Sequence, residues 1–309
     1  MHILVVNDDG PPSKRLSPYV RPLVNALQEA GHRVSVAVPA ISRSWIGKAH
    51  IIEAPIKATY VHPDAFHEDG TWADDDPPRT DNDWVVVTNG TPASCTQLGL
   101  YNLFTDRGPV DLVVSGPNHG RNASTIYNLS SGTVGGALEA VTCGKRGIAL
   151  SFGSKEEQPP EVIDAAARLS ARLVNHLWNH WDEGVELYNI NVPMRADVES
   201  RPIRYTRALP NRWSKGSLYA EVPSTGKAAD ETTSNGEIGA SSTPNGGEPR
   251  RRERHFRWCT ELSDIKKSLA AAEEGTDAHT VLNGYTSVTP LLANFWHPPG
   301  FSGEIHLDP

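Results

Sequence analysis

The chain opens on a short apolar run, His2-Ile3-Leu4-Val5-Val6, that stops at Asn7-Asp8-Asp9-Gly10. The run reads as a fully buried strand, and Gly10, Pro11 and Pro12 break it. Adjacent residues on a strand point to opposite faces, so Asp8 and Asp9 can face one site only if the strand ends at or just after Asn7. In an open α/β sheet, ligands bind at the carboxyl ends of strands. Two ionised carboxylates held close repel each other, and a hard divalent cation relieves that repulsion. Asn, Asp and Gly are also ordinary turn residues, so a solvated turn competes with the metal reading for these four residues alone.

The following residues repeat the pattern. Ser17-Pro18 reads as a helix start, with Val20, Leu23, Val24 and Leu27 at helical spacing and Gly31 as the stop. Residues 33–39 read as a second strand, parallel to the first through a right-handed crossover. The turn after the first strand lacks G-x-G-x-x-G, which argues against a dinucleotide site and an oxidoreductase built on one. Polar loops then follow further strands: residues 42–47, 88–92 after strand 83–87, and 115–122 after strand 110–114. Pro92 opens a helix through Leu103. Residues 130–137 read as a helix start rich in small residues, suited to phosphate, to close packing on the sheet, or to both. A strand at 148–152, an amphipathic helix from Pro159-Pro160 through Leu177, strands at 186–193 and 203–206, helix plus turn at 264–284 and a last strand at 284–290 complete the reading.

Two segments interrupt it. Residues 62–83 are acidic and rich in Pro and Gly, and Asp74-Asp75-Asp76 within them reads as a solvated loop. Residues 224–253 are rich in Gly, Ser, Thr, Asn and Glu and read as a disordered insertion. The formal charge of −8 favours no nucleic-acid partner, and no apolar run suggests a membrane span. The N-terminal run is too short for a secretory signal, and Cys95, Cys143 and Cys259 have no metal spacing, so a cytoplasmic protein is expected.

In order along the chain, Val5-Val6-Asn7-Asp8-Asp9-Gly10, the Val38-Pro39…Arg43-Ser44 loop, Asn89-Gly90-Thr91-Pro92-Ala93 and residues 110–122 resemble the SurE family of divalent-metal-dependent phosphatases. Ser131-Gly132-Thr133-Val134-Gly135-Gly136-Ala137, Asn189-Ile190-Asn191-Val192-Pro193 and Gly284-Tyr285-Thr286-Ser287-Val288-Thr289-Pro290 continue the resemblance. It implies an α/β fold: a Rossmann-like, mostly parallel sheet with helices on both faces and a smaller β-rich C-terminal extension. One domain over 1–309 is expected, with a core at 1–195 and the extension at 196–309. The resemblance also implies a homodimer or higher homo-oligomer. Pro11-Pro12-Ser13-Lys14-Arg15-Leu16, the 62–83 loop and the 224–253 insertion depart from bacterial members. They look like fungal relatives, in which such a domain can be fused to a tubulin–tyrosine-ligase-like domain.

The activity implied is hydrolysis of a phosphomonoester, above all a nucleoside monophosphate, with one Mg²⁺ or Mn²⁺ per active site. The family's metal ligands fall on Asp8, Asp9, Ser44 and Asn118, an all-oxygen set suited to those ions. Asn7, Ser131, Gly132, Thr133 and Asn122 are expected to hold phosphate, with Ser115 as a positioner. Asp8 or Asp9 is the expected base toward water, and His119 reads either as an acid/base or as an ordinary exposed residue. The alternative is a nucleotide-binding module without turnover in a larger fungal assembly.

Overall fold

The computed structural model describes residues 1–73, 79–213, 217–222, 254–259, 268–269 and 271–294. The Asp74-Asp75-Asp76 run and the 224–253 insertion lie outside the described residues. By internal contacts the chain divides into Met1–Arg212 with Ser268–Pro309, and Trp213–Lys267. The described part of the second unit is an antiparallel pair of strands, β9 (Tyr219–Val222) and β10 (His255–Trp258).

The first unit is built on one nine-stranded sheet. Its strands are β1 (His2–Val6), β2 (Arg33–Pro39), β3 (Lys57–Val61), β4 (Trp84–Thr88), β5 (Leu112–His119), β6 (Arg146–Phe152), β7 (Leu187–Val192), β8 (Ile203–Tyr205) and β11 (Thr286–Leu291), in the order β3-β4-β2-β1-β5-β6-β7-β11-β8. From β4 to β7 neighbours run parallel, while β3 and β11 join antiparallel to β4 and β7. The central strands end on one edge, so the segments that follow them meet there. β8, β11 and helix α6 (Asp277–Leu282), all from the stretch read as an extension, belong to this unit.

Both faces of the sheet are covered, which explains why β1 is buried throughout. Ile3 and Val5 pack among Leu23 and Leu27 of α1 (Val20–Glu29) and Leu169 and Leu173 of α5 (Pro160–Asn179). Leu4 and Val6 point the other way, among Cys95 of α2 (Pro92–Leu98) and Ala140 of α4 (Gly132–Thr142). Each fully buried Leu, Ile or Val contributes about 1.5–3 kcal/mol.

Local chemistry sets the boundaries. Thr91 and Ser94 form a reciprocal cap before α2, and one wider turn, Gly99–Leu103, carries the helix on to Leu103 as expected. The start of α1 needs correction: Tyr19 is the N-cap and Val20 the first helical residue, because Ser17 instead accepts a hydrogen bond from Asn7. β5 runs to His119, beyond the expected end at Val114, because it recovers pairing with β6 after a shift between Ser115 and Asn118. β3, an edge strand, carried no clear apolar signal.

Candidate active site

β1 ends at Val6, so Asp8 and Asp9 lie in the turn beyond it, 2% and 7% exposed. Asn7 closes that turn. Its Nδ2 donates to Gly10 O (2.8 Å) and Ser17 Oγ (3.1 Å), and its Oδ1 accepts from Gly10 N (3.1 Å). The amide expected to hold phosphate therefore braces the turn, with both donors engaged.

Three other segments converge on the carboxylates. His119 N, at the end of β5, donates to Asp9 Oδ2 (2.7 Å). Arg43 N donates to Asp8 O (2.7 Å), which ties the Ser44 loop to the turn. From the start of α4, Thr133 Oγ1 donates to Asp8 Oδ1 (2.5 Å). Gly132 is needed for this approach: a Cβ there would lie 2.7 Å from Asp8 Cβ and 3.1 Å from Arg43 O. Ser131 Oγ accepts from Val134 N (3.2 Å) and caps α4. The hydroxyls of Ser131 and Thr133, expected on phosphate, thus cap the helix and hold Asp8. What α4 still presents at this point is the positive end of its dipole.

Of the remaining expected ligands, Asn118 sits one residue before the N–H that holds Asp9. Its Nδ2 donates to Gly120 O (2.5 Å), so its oxygen is the atom left to offer a cation. Ser44 is exposed, with its Oγ 3.2 Å from Ser42 Oγ. Asn122 belongs to a different network. Its N donates to Asn191 Oδ1 (2.8 Å), its Nδ2 to Ser151 Oγ (3.0 Å), and its carbonyl accepts from Asn189 Nδ2 (2.8 Å). This buried polar ladder joins the loop after β5 to β6 and β7, and it engages the side-chain amide expected on phosphate. Ser115 Oγ is buried without a hydrogen-bond partner among the described residues, under Gly136, where a Cβ would lie 2.5 Å from it.

Sequence reasoning missed Asp277, which is fully buried. It accepts from Ser124 N (2.8 Å) and Leu209 N (2.9 Å) and so ties α6 to the loop leading into α3 (Thr125–Ser130). Nothing in its local sequence marks that long-range role.

The electrostatics follow from burial. Desolvation pushes Asp8 up to about 6, against the pull of the Thr133 hydrogen bond. Asp9 is raised well above the usual carboxylate range by burial and then by the charge on Asp8. His119 is shifted toward neutral imidazole by burial and by Lys155. Its ring stands edge-on to Tyr19, with centroids 5.2 Å apart.

A divalent cation fits this chemistry. Two desolvated carboxylates raise each other's cost of ionisation, and a hard cation offsets both. Among the described residues no group of three or more His, Cys, Asp or Glu could hold a metal. The remaining donors must then be neutral oxygens, which is what Asn118 and Ser44 carry.

Fold and site together define an α/β protein with an acidic centre at the carboxyl edge of a parallel sheet. Residues 3–215 match the model of the family described as survival protein SurE, and the chain belongs to that family. It is 36% identical to a 5'-nucleotidase SurE of Nitratidesulfovibrio vulgaris, over 96% of this chain and 94% of that protein. The crystal structure of the SurE protein from Aquifex aeolicus superposes with a TM-score of 0.63 at 27% identity, covering 96% of this chain and 95% of the other. A probable tubulin–tyrosine ligase, PBY1, of Saccharomyces cerevisiae is 32% identical over 99% of this chain, which spans only 43% of that protein's length.

Proposed function

We propose that the chain is a phosphoric monoester hydrolase of the 5'-nucleotidase type that works with one bound Mg²⁺ or Mn²⁺. The observation that carries this reading is the buried Asp8–Asp9 pair at the end of β1, with the N-terminus of α4 directed at it. The 5'-nucleotidase relatives, which align over nearly the whole chain, support the same class.

Asp8, Asp9, Asn118 and Ser44 would hold the cation, which when bound offsets charge on a phosphoryl oxygen and acidifies water. The positive end of α4 attracts the phosphate dianion and requires no rearrangement as charge develops. Thr133 fixes the rotamer of Asp8, and the His119 N–H fixes that of Asp9. One of the two carboxylates takes the proton of the attacking water. His119, shifted toward neutral and in contact with Asp9 through its backbone, supports the strand end more directly than it supports proton transfer.

The test is a panel of nucleoside monophosphates with Mg²⁺, Mn²⁺ and a chelator, on wild type and Asp9→Asn. Phosphate release that needs metal and Asp9 is expected; full activity of a folded Asp9→Asn protein would sink the metal assignment. The length of the yeast relative favours a second reading, a nucleotide-binding module within a larger protein. Calorimetric nucleotide binding without phosphate release in any metal would support that instead. Homo-oligomerisation, which light scattering reads directly, and a cytoplasmic setting complete the proposal. Among the described residues no helix is long and apolar enough to cross a membrane.

A further inference from the structure

The loop that carries Ser44 is strapped across the start of α4. Arg43 N donates to Asp8 O (2.7 Å) and Gly47 N to Ser130 O (2.9 Å), so residues 43–47 reach from the aspartate turn to the junction of α3 and α4. The strap lies close on the helix. A Cβ on Gly132 would stand 3.1 Å from Arg43 O, and one on Gly135 would overlap Gly47 O. Trp45 is the middle residue of this strap and the neighbour of Ser44.

Two observations single out Trp45. Its ring packs on Tyr127 of α3, with centroids 5.6 Å apart and planes tilted by 50°, yet the residue remains 37% exposed. Tyr127 O in turn accepts from Ser131 N (2.8 Å), the residue that caps α4. The aromatic pair therefore stands on the segment that leads into the helix end directed at Asp8. The second observation is the backbone: Trp45 has a φ of 64°, a left-handed conformation that glycine takes freely and a bulky residue rarely adopts. Such strain persists where the surroundings over-determine it, as the pins at Arg43 and Gly47 do here, and it collects at ligand clamps. On the α1 face of the sheet the comparison fails. Tyr19 lies against His119 and Phe152, is 1% exposed and has no ring face to offer.

We propose that Trp45, backed by Tyr127, is the stacking platform for the leaving group, so that the site takes nucleoside monophosphates in preference to phosphate esters without a base. The proposal rests on the phosphomonoesterase reading above. With the phosphate between the carboxylates and the start of α4, the ester substituent projects past Ser44 onto the indole. Every nucleobase has a π-face, so stacking of this kind holds purines and pyrimidines alike without reading their hydrogen-bonding edges.

The experiment compares wild type, Trp45→Ala and Trp45→Phe in Mn²⁺. It measures kcat and KM for adenosine 5'-monophosphate, uridine 5'-monophosphate and ribose 5-phosphate, and orthophosphate binding by calorimetry. Wild type is expected to favour both nucleotides over ribose 5-phosphate. Trp45→Ala should cut that preference by on the order of tenfold, through KM more than kcat, the scale of losing one base–aromatic stack. Trp45→Phe should keep most of it. Orthophosphate has no base, so it separates stacking from support of the Ser44 loop. Loss of orthophosphate binding with the nucleotide preference intact would make Trp45 a prop for Ser44 and overturn the proposal. A wild type that hydrolyses ribose 5-phosphate as well as the nucleotides overturns the platform alone, and this reading stands even where Trp45→Ala fails to fold. A wild type that releases phosphate from none of the three overturns the underlying reading and the platform with it.

Discussion

Two of the places where the first unit buries carboxylates differ in their surroundings. Glu139 on α4 is 3% exposed. It pairs with Lys48 at 2.6 Å and His50 at 3.3 Å, and accepts from Gln97 Nε2 at 2.7 Å. Burial works to raise its pKa, but Lys48, Gln97 and His50 outweigh it, and Glu139 titrates below the usual range. Asp8 and Asp9 are as buried, yet their hydrogen-bond partners among the described residues are N–H groups and one hydroxyl, and both are raised. Glu139 has its counter-charge built in and anchors the segment that follows the Ser44 loop. The aspartate pair is left with a deficit of positive charge, which suits it to a ligand.

Neutralising an aspartate gives the widest separation between the two places. Asp9→Asn should lower kcat/KM by on the order of 10²–10³-fold, the scale of losing one charge-stabilising group. Thermal unfolding of the same variant without metal should show a more stable protein than wild type, because a buried like-charge repulsion has gone. Loss of both activity and metal-free stability would place Asp9 with Glu139 instead. The pH dependence follows with opposite signs. Asp8 rises from 3.8 to about 6 on folding, so the folded state holds its proton more tightly. Its contribution to metal-free stability is present at low pH and is lost as pH rises from about 4 to about 6, by at most about 3 kcal/mol. Glu139, lowered on folding, contributes above its unfolded range, and that contribution is lost as pH falls through its folded pKa. Denaturant melts of Asp8→Asn and Glu139→Gln across pH 3.5–7 should each remove one slope. Added Mn²⁺ should stabilise wild type most at the upper end of that range.

Removing Glu139 should act on structure first. Glu139→Ala strands Lys48, which is a third exposed, and leaves Gln97 Nε2 with Cys143 Sγ as its acceptor in place of a carboxylate. A loss of about 2 kcal/mol is expected, less than for a fully buried pair because water reaches Lys48. The segment after the Ser44 loop loses its anchor on α4, so Mn²⁺ affinity should fall only several-fold and kcat in saturating metal should stay near wild type. A collapse of kcat at saturating Mn²⁺ would show that the two places are one machine.

The same contrast explains what could be read in advance. Strand β1, helix α1, strand β2 and helix α5 were legible because buried apolar residues recur with the periods of strand and helix. Asp8 and Asp9 were legible because two acids beside breakers end a buried strand. Strand β3 was not, since Lys57–Val61 is a partly exposed edge without clean alternation. Hydroxyl and amide partners were hardest. Thr133, Ser131, Asn7 and Asn122 are residue types that suit phosphate, but a short polar side chain satisfies whichever group the fold brings nearest. Here those groups are a carboxylate, a helix end, a turn and a strand ladder. The Lys48–Glu139 and Trp45–Tyr127 contacts depend on tertiary placement and leave no local mark.

Thr133 yields the smallest expected effect and the finest test. Thr133→Val keeps the β-branched shape and removes only the hydroxyl that reaches Asp8 at 2.5 Å. Glu139 depends on Lys48, Gln97 and His50 to offset its burial, so it cannot lose a partner cheaply. Asp8 can: it also feels the Thr133 backbone N–H, and with a pKa near 6 it can take up a proton when metal is absent. The stability cost should therefore stay near about 1 kcal/mol without metal. In the loaded enzyme the freed carboxylate loses its fixed rotamer, so kcat should fall about tenfold, equivalent to about 1.4 kcal/mol. Thr133→Ser should restore most of it. If Thr133→Val instead raised KM for phosphate esters and left kcat intact, the hydroxyl would be serving the phosphate directly, and α4 would owe its place at this edge to substrate binding more than to Asp8.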